Sequence, residues 1–234
     1  MDSYIEDLVA TWEITLGPIP PKPPAPRWEY LIESRATGSV RYCDDYLGPE
    51  EQGALYEHCL ALPGWEFNKP LGTGRCQRRG ICMQAVPGVH GYRYSGQEVV
   101  ASPLDNVLGP LLDRVNAEQQ SDYNSWLLNM YRPKGRDGSA GDYIGPHSDN
   151  QRELGKTADG KSVVFGLTLT EAPICQRPLV FKKKNDTSHR ELVTRGGQAY
   201  VMEGTLQTHW THELPKRQNM AGIRISLTAR KFVI

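Results

Sequence analysis

The sequence predicts a mostly β domain of the α+β class, in which a sandwich or barrel packs against two or so flanking helices. After residue 123, short runs rich in β-branched and aromatic residues alternate with turn residues, which is typical of an antiparallel β fold. Before that point, apolar residues recur at helical spacing in three segments. A chain of 234 residues is long enough for one such domain with a large buried core.

Residues 1–26 are predicted to form a separate N-terminal segment. Apolar residues at helical spacing within 5–12 indicate a short amphipathic helix that docks on the domain or, alternatively, binds a partner. Residues 18–26, PIPPKPPAP, favour extended polyproline geometry, because proline cannot continue a helix. We therefore expect a proline-rich linker up to residue 26, followed by a single domain over 27–234.

Two helices are expected in the first half of this domain. Residues 49–62 begin with two glutamates, which suit the positive end of a helix dipole, and carry apolar residues on one face. A second helix is expected to begin at Ser102 as its N-cap, with Pro103 in the first turn and apolar residues at i, i+3 and i+4 up to Val115. The pair Gly109-Pro110 would kink this helix.

The second half reads as strands. Five β-type runs are bounded by turn residues: SWLLNMY, KSVVFGLTLT, RPLVFKKK, QAYVME and GIRISLTARKFVI. The charged stretch KKKNDTSHREL between two of these runs is predicted to be a solvated loop.

Composition limits the class of partner and the compartment. Lys plus Arg equal Asp plus Glu at 27 each, so no global charge draws the chain to nucleic acid or to a membrane, and a polyanion must meet a local patch. Five cysteines without a CxxC pair fit reduced thiols. No apolar run approaches the roughly 20 residues of a membrane-spanning helix, and MDSYIEDLVA lacks signal-peptide features. We expect an intracellular monomer, cytoplasmic or nuclear, without membrane contact.

A His-x-Asp/Glu pattern is the first candidate for chemistry. Two imidazoles and one carboxylate on one face of an ion are the ligand set of non-haem Fe(II) oxygenases. Six His and 27 acidic residues give about 0.7 such matches by chance, and the chain has two, at His147-Ser148-Asp149 and His189-Arg190-Glu191. The second lies in the predicted polar loop and is set aside. The first follows an apolar run, and residues two apart on an extended segment point the same way, as chelation requires.

The other ligands must come from later in the chain. The segment THWTHELP supplies His209 and His212, of which one is needed. Near the C-terminus, Arg224, Ser226, Thr228 and Arg230 alternate with apolar residues and form a polar strand face. Two guanidinium groups on one face suit a small dicarboxylate, although exposed arginines on an edge strand are the alternative.

These features together resemble the AlkB family of Fe(II)- and 2-oxoglutarate-dependent dioxygenases, whose pattern is His-x-Asp, a distant His, and Arg-x-Asn-x-Thr-x-Arg. The resemblance covers roughly residues 40–234 and includes NMY, YRYSG, HELP and the spacing from His212 to Arg224. It implies a double-stranded β-helix (jelly roll) over about 124–234 and an N-terminal nucleotide-recognition lid over about 64–100. It also implies that Fe(II) is held by His147, Asp149 and His212.

By the same resemblance, 2-oxoglutarate is the co-substrate and O2 the oxidant. Six residues would bind 2-oxoglutarate: Asn129, Tyr131, Arg224, Ser226, Thr228 and Arg230. The two arginines would hold its two ends, and the sequence leaves open which arginine takes which end. The implied chemistry converts 2-oxoglutarate to succinate and CO2 and hydroxylates a substrate C–H bond, and a hydroxylated N-methyl group leaves as formaldehyde. For Asn129 and Tyr131, ordinary strand content is the alternative.

The resemblance also implies a nucleobase in single-stranded nucleic acid or flipped from a duplex. Tyr94 and His147 would stack on the base, while Tyr92 and Ser95 would offer hydrogen bonds. Without the resemblance, YRYSG reads as an aromatic β-turn.

Two clusters of basic residues suit phosphate contacts, or else form solvated faces. Arg75, Arg78 and Arg79 lie in GTGRCQRRG, and Lys182-Lys183-Lys184 form the second cluster. Among these, Arg78 is the candidate substrate-binding residue.

The chain departs from the family pattern at several places. Ser226 stands where the family has Asn, and Gln151 stands where related repair enzymes often carry an acid, while GRDGSAGDY and EAPICQ look like loop insertions. Gln151 in place of a carboxylate would change which base edge or small molecule is bound.

The leading hypothesis is oxidative demethylation of N-alkylated bases in DNA or RNA, of the 1-methyladenine and 3-methylcytosine type. One alternative keeps the oxygenase chemistry but acts on a small molecule or protein. The other is a non-catalytic nucleic-acid-binding module.

Overall fold

The computed structural model describes residues 26–70, 74, 76–94, 96–134, 141–151, 153–155, 163–171, 177–217 and 222–233. The expected N-terminal helix and most of the proline-rich segment lie outside the described residues, as do Arg75 and Ser95.

Strands make up most of the regular structure. The helices are α1 (Pro49–Leu60), α2 (Leu108–Gln119) and α3 (Leu206–His209). The strands are β1 (Glu29–Ile32), β2 (Ser39–Cys43), β3 (Gly80–Ala85), β4 (Gly91–Tyr94), β5 (Gln97–Val100), β6 (Ser102–Pro103), β7 (Ser125–Tyr131), β8 (Ile144–His147), β9 (Val164–Thr170), β10 (Arg177–Lys183), β11 (His189–Thr194), β12 (Ala199–Glu203), β13 (Trp210–Leu214) and β14 (Arg224–Arg230). Within the described ranges, every helix is too short or too polar to cross a membrane.

Two sheets pack against each other. The larger has eight strands in the order β1-β2-β12-β9-β14-β7-β3-β6, and the smaller has four in the order β11-β10-β13-β8. Side chains from both sheets meet in one apolar cluster, in which Val164 and Met202 of the large sheet lie with Phe181 and Leu192 of the small sheet. A separate hairpin is formed by β4 and β5. This is the mostly β, double-stranded β-helix architecture that the resemblance implies.

The central strands of the large sheet, β9, β14 and β7, are buried on both faces. On its outer face, α1 contacts β9 and β14 while α2 contacts β7, and Trp126, Leu128 and Leu227 join the helical side chains in the main core. The alternate residues of β7 and β14 face the small sheet instead. The predicted period-2 pattern of β14 therefore separates a helix-covered apolar face from a buried polar face.

The predicted start of the second helix is wrong. Ser102 and Pro103 form the short strand β6, parallel to β3, and the Ser102 hydroxyl donates a hydrogen bond to the carbonyl of Met83 at 3.1 Å. The helix starts five residues later, where Asp105 Oδ1 accepts the backbone N–H groups of residues 107 and 108 at 2.9 and 2.8 Å. Pro110 then lies in the first turn, where its missing N–H costs no intrahelical bond, so it introduces no kink.

The predicted loop at KKKNDTSHREL is confined to residues 184–188, and the prediction is wrong for the residues that follow them. Residues 189–194 form β11, which pairs in antiparallel register with residues 177–182 of β10. Cross-strand pairing with an apolar neighbour overrides the polar composition, because every second side chain of an edge strand can face water. His189 is exposed on this edge strand, outside the group of potential metal ligands.

Candidate active site

The three predicted metal ligands meet on the inner face of the small sheet. His147 ends β8 and lies directly opposite His212 of the neighbouring strand β13, while Asp149 follows His147 by two residues. The distance from Asp149 Oδ1 to His147 Nε2 is 3.9 Å, and that from Asp149 Oδ2 to His212 Nε2 is 3.8 Å. One donor atom from each residue lies within 4.8 Å of the others. This spacing fits coordination of one ion.

Hydrogen bonds behind the ligands fix their orientation. The Nδ1 atom of His147 is 2.9 Å from the carbonyl of Gly145, which turns Nε2 toward Asp149. The backbone N–H of Asp149 donates to Gln207 Oε1 at 2.8 Å. Gln207 lies on α3, in the segment just before THWTHELP, and sequence reasoning missed it because an isolated glutamine carries no signal of such a role.

The protonation states also suit a metal ion. Burial lowers the pKa of His147 and lowers that of His212 to about 3, so both imidazoles are neutral. Burial alone would raise the pKa of Asp149, but Arg230 and the two histidines outweigh it, and the carboxyl group stays ionised. Asp149 Oδ2 is buried and accepts no hydrogen bond from the described residues, although Arg230 Nη2 lies 3.1 Å away. Two neutral imidazoles and an ionised carboxylate fit Fe(II). His209 lies outside this group, at the end of α3.

The polar face of β14 lines the same cavity as these ligands. This strand sits between β9 and β7, and both of its arginines are buried, at 2% exposure for Arg224 and 5% for Arg230. The alternative of exposed arginines on an edge strand is therefore excluded. Arg224 donates hydrogen bonds to the hydroxyls of Thr194 and Thr168 at 3.1 and 3.2 Å. Arg230 lies beside the metal ligands, so the two guanidinium groups mark opposite ends of the cavity.

Strand register places the remaining predicted co-substrate residues on the same face. Tyr131 of β7 is directly opposite Arg224, and Asn129 is directly opposite Ser226. Thr228 donates its hydroxyl hydrogen to the carbonyl of Leu127 at 3.0 Å, which leaves its oxygen free to accept. All of the predicted metal and co-substrate residues line one cavity: Asn129, Tyr131, His147, Asp149, His212, Arg224, Ser226, Thr228 and Arg230.

Arg79 lies in the cavity wall rather than on a phosphate-contacting surface. It is only 6% exposed, and its Nε donates to Asn129 Oδ1 at 2.7 Å. The cause is the pairing of β3 with β7, which brings the residue before Gly80 onto the inner face of the sheet. Arg78 is half-buried and outside the cavity lining, and its carbonyl accepts the backbone N–H of Tyr143 at 3.0 Å.

Two of the predicted substrate residues line the same cavity. Tyr92 of β4 is buried and packs against Phe232, with ring centroids 5.4 Å apart. Gln151 lines the cavity, and its Oε1 atom is buried without a hydrogen-bond partner among the described residues. Tyr94 lies on β4, and its predicted stacking contact falls outside the described side chains, as does Ser95.

Comparison with known proteins agrees with this geometry. The sequence model of the 2OG-Fe(II) oxygenase superfamily matches residues 39–230. DNA oxidative demethylase ALKBH2 of Arabidopsis thaliana is 31% identical over 68% of this chain and 55% of its own length. ALKBH2 of Homo sapiens is 32% identical over 61% of this chain and 52% of its own length. Human alpha-ketoglutarate-dependent dioxygenase alkB homolog 3 is 30% identical over 59% of this chain and 47% of its own length. The chain thus spans about half the length of these curated relatives.

Solved structures share the fold. A prolyl-4-hydroxylase of Pseudomonas putida superposes with a TM-score of 0.52 at 17% identity, covering 85% of this chain and 95% of that one. OsALKBH1 superposes with a TM-score of 0.57 at 14% identity, covering 83% of this chain and 97% of that one. With the family match over most of its length, the chain belongs to the 2OG-Fe(II) oxygenase superfamily and, within it, to the AlkB family.

Proposed function

We propose that this chain is an Fe(II)- and 2-oxoglutarate-dependent dioxygenase that oxidatively demethylates N-alkylated bases in nucleic acid. The observation that carries the proposal is a single buried cavity in which the His-Asp-His group faces two arginines on one strand. The similarity to proteins named DNA oxidative demethylases supports the choice of substrate. In this proposal, residues 27–234 form the catalytic domain, and residues 64–100 act as the lid that carries Tyr92.

His147, Asp149 and His212 would hold the metal ion, which supplies the reduction of O2 coupled to decarboxylation of 2-oxoglutarate. Arg230 is 3.1 Å from Asp149 and would take the carboxylate nearer the metal ion. Arg224 lies six residues before Arg230 on β14 and would bind the distal carboxylate. Its hydrogen bonds to two threonine hydroxyls hold the guanidinium group in position. A carboxylate would complete the hydrogen bonding of both buried guanidinium groups.

The remaining cavity residues would orient the co-substrate and the base. Asn129 has its Oδ1 atom occupied by Arg79, so its Nδ2 group is the part that can donate to 2-oxoglutarate. Burial of Asp149, His212 and both arginines strengthens each of these polar contacts. The base would enter beside Tyr92 and Gln151, with its N-methyl group toward His147 and Asp149.

The test is a panel of four single-stranded oligonucleotides that differ only in one base: 1-methyladenine, 3-methylcytosine, 1-methylguanine or 3-methylthymine. With Fe(II), ascorbate and 2-oxoglutarate, we expect formaldehyde and succinate in equal amounts from at least one oligonucleotide. Asp149→Ala should abolish both products. Succinate without formaldehyde from all four would overturn the proposal.

A second candidate is the same oxygenase chemistry on a small molecule or a protein. The balanced charge of the chain and the neutral Gln151 in the cavity favour it. Binding to single-stranded oligonucleotides separates the two, because an enzyme that contacts phosphates loses affinity as salt rises. A non-catalytic binding module is disfavoured by the intact ligand set, and 2-oxoglutarate turnover that depends on His147, Asp149 and His212 would eliminate it.

A further inference from the structure

The cavity carries more positive than negative charge. Arg79, Arg224 and Arg230 line it, whereas Asp149 is the one carboxylate among the described lining residues. When both the metal ion and 2-oxoglutarate are bound, the two positive charges of the metal ion cancel the two negative charges of the co-substrate. The excess of arginine over carboxylate therefore remains when the substrate base enters.

Arg79 is the part of this excess that neither the metal ion nor the co-substrate explains. Arg79 comes from the segment before β3, whereas Arg224 and Arg230 lie on β14. Its Nε donates a hydrogen bond to Asn129 Oδ1 at 2.7 Å. Burial raises the pKa of Tyr131, while the charges of Arg79 and Arg224 lower it, so the charge of Arg79 reaches the cavity interior. A buried guanidinium repels a cation placed in the same cavity.

Gln151 supplies polarity without charge. Its Oε1 atom is buried and has no partner in the described part of the chain, so the amide group has capacity left for a ligand. An amide can present either its oxygen or its NH2 group after rotation. It can therefore pair with a neutral base edge, but it cannot neutralise a cationic one.

We propose that the cavity selects neutral N-methylated bases in which a carbonyl flanks the methylated nitrogen, as in 3-methylthymine and 1-methylguanine, over cationic 1-methyladenine and 3-methylcytosine. The reason is that a cationic base would be buried beside arginines without a free carboxylate among the described lining residues, whereas a carbonyl oxygen can accept from the Gln151 amide group. This inference rests on the proposed function and narrows its substrate.

The chemical step is the same for either class of base. One oxygen atom of O2 enters a C–H bond of the N-methyl group, and the other ends in succinate as 2-oxoglutarate loses CO2. The N–C bond of the resulting hydroxymethyl group then breaks, its electron pair stays on the base nitrogen, and formaldehyde leaves. For a neutral base, the hydroxyl proton replaces the lost methyl group on that nitrogen.

The experiment measures kcat/KM for formaldehyde release from the four oligonucleotides. We expect the 3-methylthymine and 1-methylguanine substrates to exceed the two cationic ones by about tenfold or more, which is the ratio for one modest polar contact. Affinity of the metal-free protein for the same oligonucleotides, measured by fluorescence anisotropy, should follow the same order. This second readout does not depend on turnover.

Gln151→Glu supplies the missing carboxylate with little change in shape. It should reverse the order, raising both rate and affinity for the cationic bases and lowering them for the neutral ones. Gln119→Glu makes the same charge change at the end of α2, outside the cavity, and should leave the order unchanged.

Equal rates for the two classes, faster release from the cationic bases, or an unchanged ratio in Gln151→Glu would each overturn the inference while leaving demethylation in place. No formaldehyde from any of the four would overturn the proposed function and the inference together.

Discussion

Gln207 fixes the backbone of the metal-ligand candidate Asp149 by a hydrogen bond, and its replacement tests whether this bond supports metal binding. Gln207 is 7% exposed, and its side-chain Oε1 accepts the backbone N–H of Asp149 at 2.8 Å. Its backbone carbonyl accepts a hydrogen bond from Lys184 Nζ at 3.0 Å. Gln207→Met keeps the length of the side chain but removes the acceptor. The N–H of Asp149 would then be buried without a partner, at a cost of about 1–3 kcal/mol. Since Asp149 would lose its fixed position, metal affinity should fall by roughly 10- to 100-fold.

Titration of the metal-free protein with Mn(II), followed by tryptophan fluorescence, measures this loss. Gln207→Glu is the matched control, because a carboxylate oxygen can still accept from Asp149, and it should retain most of the affinity. The distal carboxylate site is untouched, so KM for 2-oxoglutarate at saturating metal should change little. Wild-type affinity in Gln207→Met would refute the reasoning. Equal losses in both variants would assign the effect to packing rather than to the hydrogen bond.

Three further changes test the cap of α2, the arginine strand and the packing beneath the cavity. Asp105→Ala should cost about 1–2 kcal/mol of unfolding free energy at pH 7 by urea denaturation, because two N–H groups lose their acceptor. Burial would raise the pKa of Asp105, but hydrogen bonds led by that from Leu108 lower it to about 2. The contribution of the Asp105 carboxylate to stability is therefore full above about pH 4 and is lost as the pH falls toward 2. The unfolding free energies of wild type and variant should converge there. Arg224→Met should raise KM for 2-oxoglutarate by roughly 30-fold or more, because it removes a buried charge pair that contributes about 2 kcal/mol or more. The affinity for Mn(II) should stay unchanged. An unaltered KM would contradict the assignment of Arg224 to the distal carboxylate. Gly166→Ala would place a methyl group in steric overlap with the Tyr200 ring and should lower stability by about 1–3 kcal/mol in thermal unfolding, whereas a wild-type melting temperature would mean that the ring moves freely.

The predicted site residues that the structure brings together in one cavity are those that follow a short-range pattern in the sequence. His147 and Asp149 two apart, and Arg224 to Arg230 at period 2, are visible without knowing which strands pair. The same periodicity located β7, β9, β10, β12 and β14, because the burial of one or both faces constrains every residue along a strand.

The features that sequence reasoning missed depend on contacts between distant parts of the chain. Arg79 reaches the cavity only because β3 pairs with β7, and its partner Asn129 is 50 residues away. The segment before α2 offers two capping residues, Ser102 and Asp105, and the choice between them follows from pairing of β6 with β3. β11 is a strand because β10 supplies its hydrogen bonds, which no property of KKKNDTSHREL reveals.

His147 and His212 lie opposite each other on neighbouring strands, so the metal site depends on the register between β8 and β13. β8 is a four-residue strand at the edge of the small sheet, and in the described part of the chain β13 is its only neighbour there. Since side chains alternate between faces, a shift of one residue would turn His147 away from His212 and dismantle the site. Metal binding can therefore occur only in the native alignment, and an ion bridging the two strands would lock the most weakly held strand of the sheet in place.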